Sequence, residues 1–141
     1  YLLFTNRVRP NLDIATRQNE KTEQSDEDML ASLQKVKEIG KLIENHIYTE
    51  NYRRIPALFS DHWISKMDRD PDIATPEMQE VWDRCLGAGA LGGKLIGLGG
   101  GGYFLMYSER SLEPIGAIPI RVAYTGAEIV HMSERQMEVF T

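Results

Sequence analysis

The chain has 141 residues, 42% of them hydrophobic, with 16 Lys and Arg against 21 Asp and Glu. That length supports one buried core and is short for two domains of ordinary size, so a single domain over residues 1–141 is expected. A formal net charge of -5 argues against nucleic acid or an anionic membrane surface as a partner, because both need clustered cations, and any phosphate the protein meets must be held locally.

Cys85 is the only cysteine. It leaves no internal disulfide framework and no cysteine-based metal site, and it fits a reducing, cytoplasmic compartment. No apolar run approaches the ~20 residues that cross a bilayer, and "YLLFTNRVRP" is too short, with no basic leader, to be a signal peptide. A chain that opens on Tyr1 in an apolar run reads as the interior of a longer frame, or as a processed or cloned piece of one.

Tyr1 to Arg7 is a short aromatic and aliphatic run stopped by Pro10, which predicts a strand. Val8 to Gln24 is polar with no sustained apolar period, so it is expected to be a loop with some helical turn around Ile14. Ser25 is the expected N-cap of a helix whose first turn holds Asp26, Glu27 and Asp28, acids that favour the positive end of the helix dipole. Met29, Leu30, Leu33, Val36, Ile39, Gly40, Ile43 and Ile47 recur at threes and fours and predict a long core-facing stripe.

A second helix is predicted over about Asn51 to Met67, with Tyr52, Ile55, Leu58, Phe59 and Trp63 in the apolar role and Pro56 in its first turn, where proline is tolerated. "DRDPDIATPEM" breaks the pattern. Its Asp68, Asp70 and Asp72 read as a solvated capping turn, because the glycine and terminal glutamate of a calcium loop do not follow. Thr75-Pro76 then marks the start of a third helix carrying Met78, Val81, Trp82 and Cys85 and ending near Gly87 to Gly89. Core packing is the expected role of Trp63 and Trp82, and Cys85 is expected to be an inert core thiol.

Gly93 to Ile96 and Tyr103 to Tyr107 have strand composition around a glycine loop, which predicts a hairpin; Ile118 to Tyr124 and Glu128 to Met132 flank Thr125-Gly126 as a second. The order of elements predicts an α+β fold, with helices packed on one face of a largely antiparallel sheet.

The glycines match the dinucleotide pattern G-x-G-x-x-G twice, at Gly87, Gly89 and Gly92 and at Gly97, Gly99 and Gly102. Both matches fail on context, since the fingerprint needs a strand before it and a helix N-terminus after it. A P-loop is excluded because Ala88 replaces its leading glycine and Leu95 its hydroxyl. A protein-kinase glycine loop lacks its companion motifs. A tight turn needs one or two glycines, whereas each further one disfavours ordering by roughly 0.5–1 kcal/mol relative to alanine. Four in a row, Gly99 to Gly102, therefore predict close approach of a ligand or of another loop.

"GALGGKLIGLGGGGYFLMY" resembles the C-terminal glycine motif of the GHMP kinases, the superfamily of galactokinase, homoserine kinase, mevalonate kinase and phosphomevalonate kinase. It is most similar to the bacterial heptose-phosphate kinase branch, in which G-A-x-G-G-K-L-x-G-A-G-G-G-G-F precedes a hydrophobic strand. "YLLFTNRVRPNLDI" and "HWISKMDRDPDIATPEMQEVW" are similar, in order, to the strand and arginine loop that open the family's C-terminal domain and to the stretch before the glycine motif.

The resemblance implies a ferredoxin-like C-terminal domain, the substrate-side half of an ATP-dependent sugar or sugar-phosphate kinase. Gly97, Gly99, Gly100, Gly101 and Gly102 would line the phosphoryl-transfer cleft beside the phosphate loop of an N-terminal domain. Lys94 matches the family's strand lysine and Arg9 falls near its loop arginine; both are candidate phosphate or substrate contacts. Lys94 equally suits a strand lysine that points to solvent or pairs with an acid. Leu98 departs from the usual alanine or serine, and Ser108 to Ala117, interrupted by Pro114, is too short for the helix expected before the last strand.

The family's serine-rich ATP loop and catalytic carboxylate have no match in these residues, so no catalytic residue is assigned and negligible activity is expected of the chain alone. ATP and Mg would belong to the complete enzyme, and the N-terminal kinase domain and the sugar substrate would be the partners. A second reading is a free-standing ferredoxin-like module that binds a small molecule or forms a homodimer without catalysis. His46, His62 and His131 lie in separate elements without ligand spacing, so no metal site is expected. His62 is expected to close a helix with its ring satisfied by a backbone carbonyl.

Overall fold

The computed structural model describes residues 1–8 and 13–121. The described part is an α+β fold of four helices and a three-stranded antiparallel sheet. The strands are β1 (Leu2–Phe4), β2 (Ala90–Leu95) and β3 (Tyr103–Ser108), in the order β1-β3-β2. β2 and β3 form the hairpin expected around the glycines, with Leu95 opposite Phe104 and Gly93 opposite Met106. β1 returns from the far end of the sequence to pair with the other edge of β3, Leu3 opposite Phe104. A bridge from Leu2 to Ile118 follows. The rest of the second predicted hairpin, from 122 onward, lies outside the described residues.

Helix α1 (Asp13–Glu23) occupies most of the segment expected to be loop. Its composition is polar, with one buried residue, Ile14, so periodicity carries almost no signal there. What holds it is a polar clamp. The Arg17 guanidinium grips the Asp70 carboxylate with two bonds, Nε to Oδ2 at 2.6 Å and Nη2 to Oδ1 at 2.9 Å, and reaches Asp72 at 2.7 Å. Lys21 Nζ adds a bond to the Arg69 carbonyl at 3.2 Å. Asp70 is buried, which corrects the expectation of a solvated aspartate turn. The guanidinium beside it holds its carboxyl below the usual range, because charge and a bidentate bond both favour the ionised form.

Helix α2 (Glu27–Tyr48) starts one residue later than expected. Its cap is Asp26, whose side chain accepts from the Met29 amide at 2.8 Å. Ser25 instead takes φ 57° to turn the chain sharply out of α1. The long stripe is only partly used: Met29 and Ile39 are buried, while Leu42 is 49% and Ile47 51% exposed. α2 packs chiefly on the following helix rather than on the sheet, so its stripe outruns the surface available to cover it.

Tyr52–Arg54 forms a short 3-10 turn, and α3 (Ile55–Met67) follows with Pro56 in its first turn. Tyr52 is exposed, contrary to its expected core role. α4 (Pro76–Gly87) starts at the expected Thr75-Pro76 and buries Met78, Val81, Trp82 and Cys85. Burial pushes the Cys85 thiol up in pKa, as suits an unreactive core thiol.

The core gathers where α3 and α4 meet the hairpin. Phe104 lies edge-on to both Trp63 and Trp82, each centroid 5.3 Å away. α3 approaches β2 very closely, and Gly92 is the reason: a Cβ there would stand 2.2 Å from the Pro56 carbonyl oxygen and 2.7 Å from Ser60 Oγ. Ser108 to Ala117, too short for a full helix, forms a 3-10 turn at Glu113–Ile115 between buried Leu112 and Ala117.

Candidate functional site

Seven residues, Ile96 to Gly102, join β2 to β3. Gly97, Gly99, Gly100, Gly101 and Gly102 all have positive φ, from 73° to 151°, a region that side chains with a Cβ rarely adopt. The loop is more firmly held than a bare, mobile turn. Gly100 N donates to the Ile73 carbonyl at 3.0 Å, Gly102 N to the Arg7 carbonyl at 2.9 Å, and Thr5 donates to the Gly102 carbonyl through both its amide and its hydroxyl at 2.9 Å. Gly99 fits against Ile73 so tightly that a Cβ would meet its side chain at 3.0 Å. Around Gly97 and Gly102, by contrast, an added Cβ would meet nothing within 4 Å.

The amides of Gly97, Leu98, Gly99 and Gly101 donate to no acceptor among the described residues. Consecutive amides left without acceptors by glycine geometry can receive an anion. Leu98 packs its side chain against the core. Arg9 lies outside the described residues.

Beside Gly97 and Leu98 opens a cleft of about 230 Å³, and Lys94 lies on its wall. The structure thus brings Lys94 to the root of the glycine loop, its Nζ 5.8 Å from the centre of the Phe59 ring and in no ion pair with an acid among the described residues. Three further basic residues line the same cleft: His62, Lys66 and Arg69. Their spacing of four and three places them on one face of α3 and its continuation. That spacing is readable in the sequence; that the face it makes meets Lys94 at the foot of the glycine loop is not, because β2 and the loop are distant in sequence.

Lys66 is only 5% exposed and its ammonium donates to the Gly97 carbonyl, tying helix to loop. Burial first, then the charges of Arg69 and Lys94, lower its pKa to about 8. His62 is lowered to about 4, by burial first and then by Lys94, Lys66 and Arg69. Its Nδ1 is buried without a partner among the described residues, so the expected bond to a backbone carbonyl is not made there. Arg69 is positioned from α2, Nε donating to Ser32 Oγ at 2.9 Å. Among the described residues no three metal-ligating side chains converge, and no helix is long and apolar enough to cross a membrane.

Both shifts imply a pH dependence. His62 and Lys66 are harder to protonate in the folded chain than in the unfolded one, whose pKa values stay near 6.5 and 10.5. The unfolded chain therefore binds more protons between about pH 4 and 6.5, and again between about 8 and 10.5. Stability should rise with pH through each window. Allowing for solvent screening, each rise is expected to be about 1–2 kcal/mol. Denaturant titrations should lose the upper rise in Lys66→Met and the lower one, in part, in His62→Gln; profiles parallel to the parent in both variants would contradict the assignment.

Compared with known proteins, the chain matches no protein-family model and no curated protein.

Proposed function

We propose that this chain is the C-terminal, substrate-side half of an ATP-dependent sugar or sugar-phosphate kinase of the GHMP type, ferredoxin-like in fold and cytoplasmic. The observation that carries the reading is the glycine loop: anchored on one side to Ile73, Thr5 and Arg7, open around Gly97 and Gly102, and holding amides without acceptors among the described residues next to a cationic cleft. Phosphoryl transfer needs positioning and electrostatic stabilisation of a highly charged group more than covalent chemistry. These residues suit the phosphate side of such a site. An N-terminal half supplies the nucleotide loop, Mg and the base that takes the acceptor's proton. Gly97 and Gly99 to Gly102 line the cleft where the two halves meet, and Lys94 faces the phosphates.

A second reading, a binding or dimerisation module without catalysis, draws on the apolar residues that α2 leaves exposed, Leu42 and Ile47 among them. One experiment separates the two. ATP-dependent phosphorylation of a heptose phosphate is assayed with the chain alone and after addition of a separately produced N-terminal GHMP kinase half. Turnover is expected only in the mixture, at least on the order of a hundredfold above the chain alone, as expected when reacting groups are brought together. Turnover by the chain alone would refute the half-site reading, and silence in both samples, with tight sugar binding by the chain, would support the module.

A further inference from the structure

The cleft at the root of the glycine loop holds more than its wall of cations. Gln18 reaches it from α1, and Gln18 Nε2, His62 Nδ1 and Arg69 Nη2 are all buried without a hydrogen-bond partner among the described residues. Buried polar atoms are normally paired, because leaving one unsatisfied forfeits its bonds to water. Gln18 Nε2 and Arg69 Nη2 can only donate, and an imidazole Nδ1 can do so in one tautomer, so these atoms on residues lining one small cleft point to a missing acceptor. Charge points the same way. Lys66, Arg69 and Lys94 stand close enough to depress the protonation of His62, and none forms an ion pair with a carboxylate among the described residues. Arg17, the residue before Gln18 on α1, is engaged by Asp70 and Asp72 and does not compete for the same ligand.

We infer that the cleft formed by Gln18, His62, Lys66, Arg69 and Lys94 is a binding site for the dianion of a phosphomonoester. Three cations match a doubly charged group better than a carboxylate. The terminal oxygens of a phosphate can accept from a guanidinium, an ammonium and an amide at once. At about 230 Å³ the cleft is smaller than the usual pocket for a whole small ligand, so it holds the phosphate and leaves the esterified group outside, toward Gly97 and Leu98. The site is complete within this chain and does not depend on the kinase reading. It takes the same chemistry whether the phosphate belongs to a sugar phosphate or to a nucleotide.

Calorimetric titration of the full chain with inorganic phosphate, a hexose monophosphate, ATP and an unphosphorylated hexose tests this. Inorganic phosphate and the hexose monophosphate are expected to bind and the bare hexose not to; the order of the hexose monophosphate and ATP identifies the source of the phosphate. Arg69→Gln and Lys66→Met are each expected to weaken phosphate binding at least tenfold, and Lys35→Met on α2 to leave it unchanged. Lys66→Met removes a buried charge with no carboxylate partner among the described residues, which offsets the lost bond to the Gly97 carbonyl, so its thermal midpoint without ligand should stay within a few degrees of the parent's. Loss of binding in that variant then reports the site and not the fold. No binding of inorganic phosphate or hexose monophosphate by the parent, or parental affinity in both Lys66→Met and Arg69→Gln, would overturn the assignment. The titration needs no N-terminal half and reads no turnover, so a failure of the phosphate site and a failure of the kinase reading show up in different measurements.

Discussion

Gly92→Ala is expected to cripple the folded state. The added methyl would lie 2.2 Å from the Pro56 oxygen and 2.6 Å from its carbonyl carbon. Both are backbone atoms in the first turn of α3, not the ends of side chains that can swing away. Relief requires α3 to move off β2, and α3 carries Trp63, which is 1% exposed in the core. Overpacking a core by one methyl typically destabilises by about 1–3 kcal/mol; against rigid backbone on both sides, a loss of more than ~3 kcal/mol is expected, out of a total of about 5–15 for a domain. Thermal and urea unfolding should show a midpoint lower by roughly 10 °C or more. The same displacement would carry Lys66 away from Gly97, so any folded fraction should also bind phosphate less well. Gly40→Ala is the matched control. Nothing lies within 4 Å of a Cβ there and the site is an exposed helix interior, so it should gain about 0.5–1 kcal/mol. Near-parental stability in Gly92→Ala would mean that α3 and β2 are not in the close contact described.

Phe104→Ala should be comparably damaging by the opposite route, an emptied core. Phe104 is 0% exposed on the central strand of the sheet and is the ring on which both tryptophans rest. Truncating such a residue removes its transfer free energy and leaves a cavity, about 3–5 kcal/mol in total. The expected drop in midpoint is roughly 10–20 °C for a chain of this size. The chain has two tryptophans and both touch this ring, so their fluorescence should shift to the red in the folded variant as water reaches them. Phe104→Leu fills most of the space and should lose less than half as much. A change below about 1 kcal/mol in Phe104→Ala would show that the cluster is not the centre of the core.

The separation of Gly92 from the loop glycines illustrates what a glycine-rich stretch conceals. In "GALGGKLIGLGGGGYF" the letters are alike, yet Gly92 is a packing contact, Gly99 a close fit to Ile73, and Gly97 an open rim beside the cleft. The difference lies in what stands opposite each Cα, which is a property of α3 and of the turn before α4. Asp70 teaches the same lesson in charge. It reads as one of three solvated acids, and only the arrival of Arg17 from a helix with almost no apolar signal makes it a buried anchor for the turn that bears Arg69.

What the sequence by itself determined is local. Periodicity and caps marked the three longer helices, with the start of α2 off by one residue and that of α3 by about four, where a 3-10 turn precedes it; strand composition on either side of the glycines marked the β2-β3 hairpin; and runs of glycine marked a loop whose backbone needs positive φ. These follow from interactions within a few residues along the chain, which is where propensity acts. Only the tertiary structure decided that α1 is a helix, that much of the α2 stripe stays exposed, and that His62, Lys66, Arg69 and Lys94 face one cleft at the foot of the loop. Each of these depends on a partner distant in sequence, Asp70 for Arg17, the limited face of α3 for α2, and Gly97 for Lys66. The last of these joins α3 to the end of β2, and the close approach of those two elements rests on the missing side chain of Gly92.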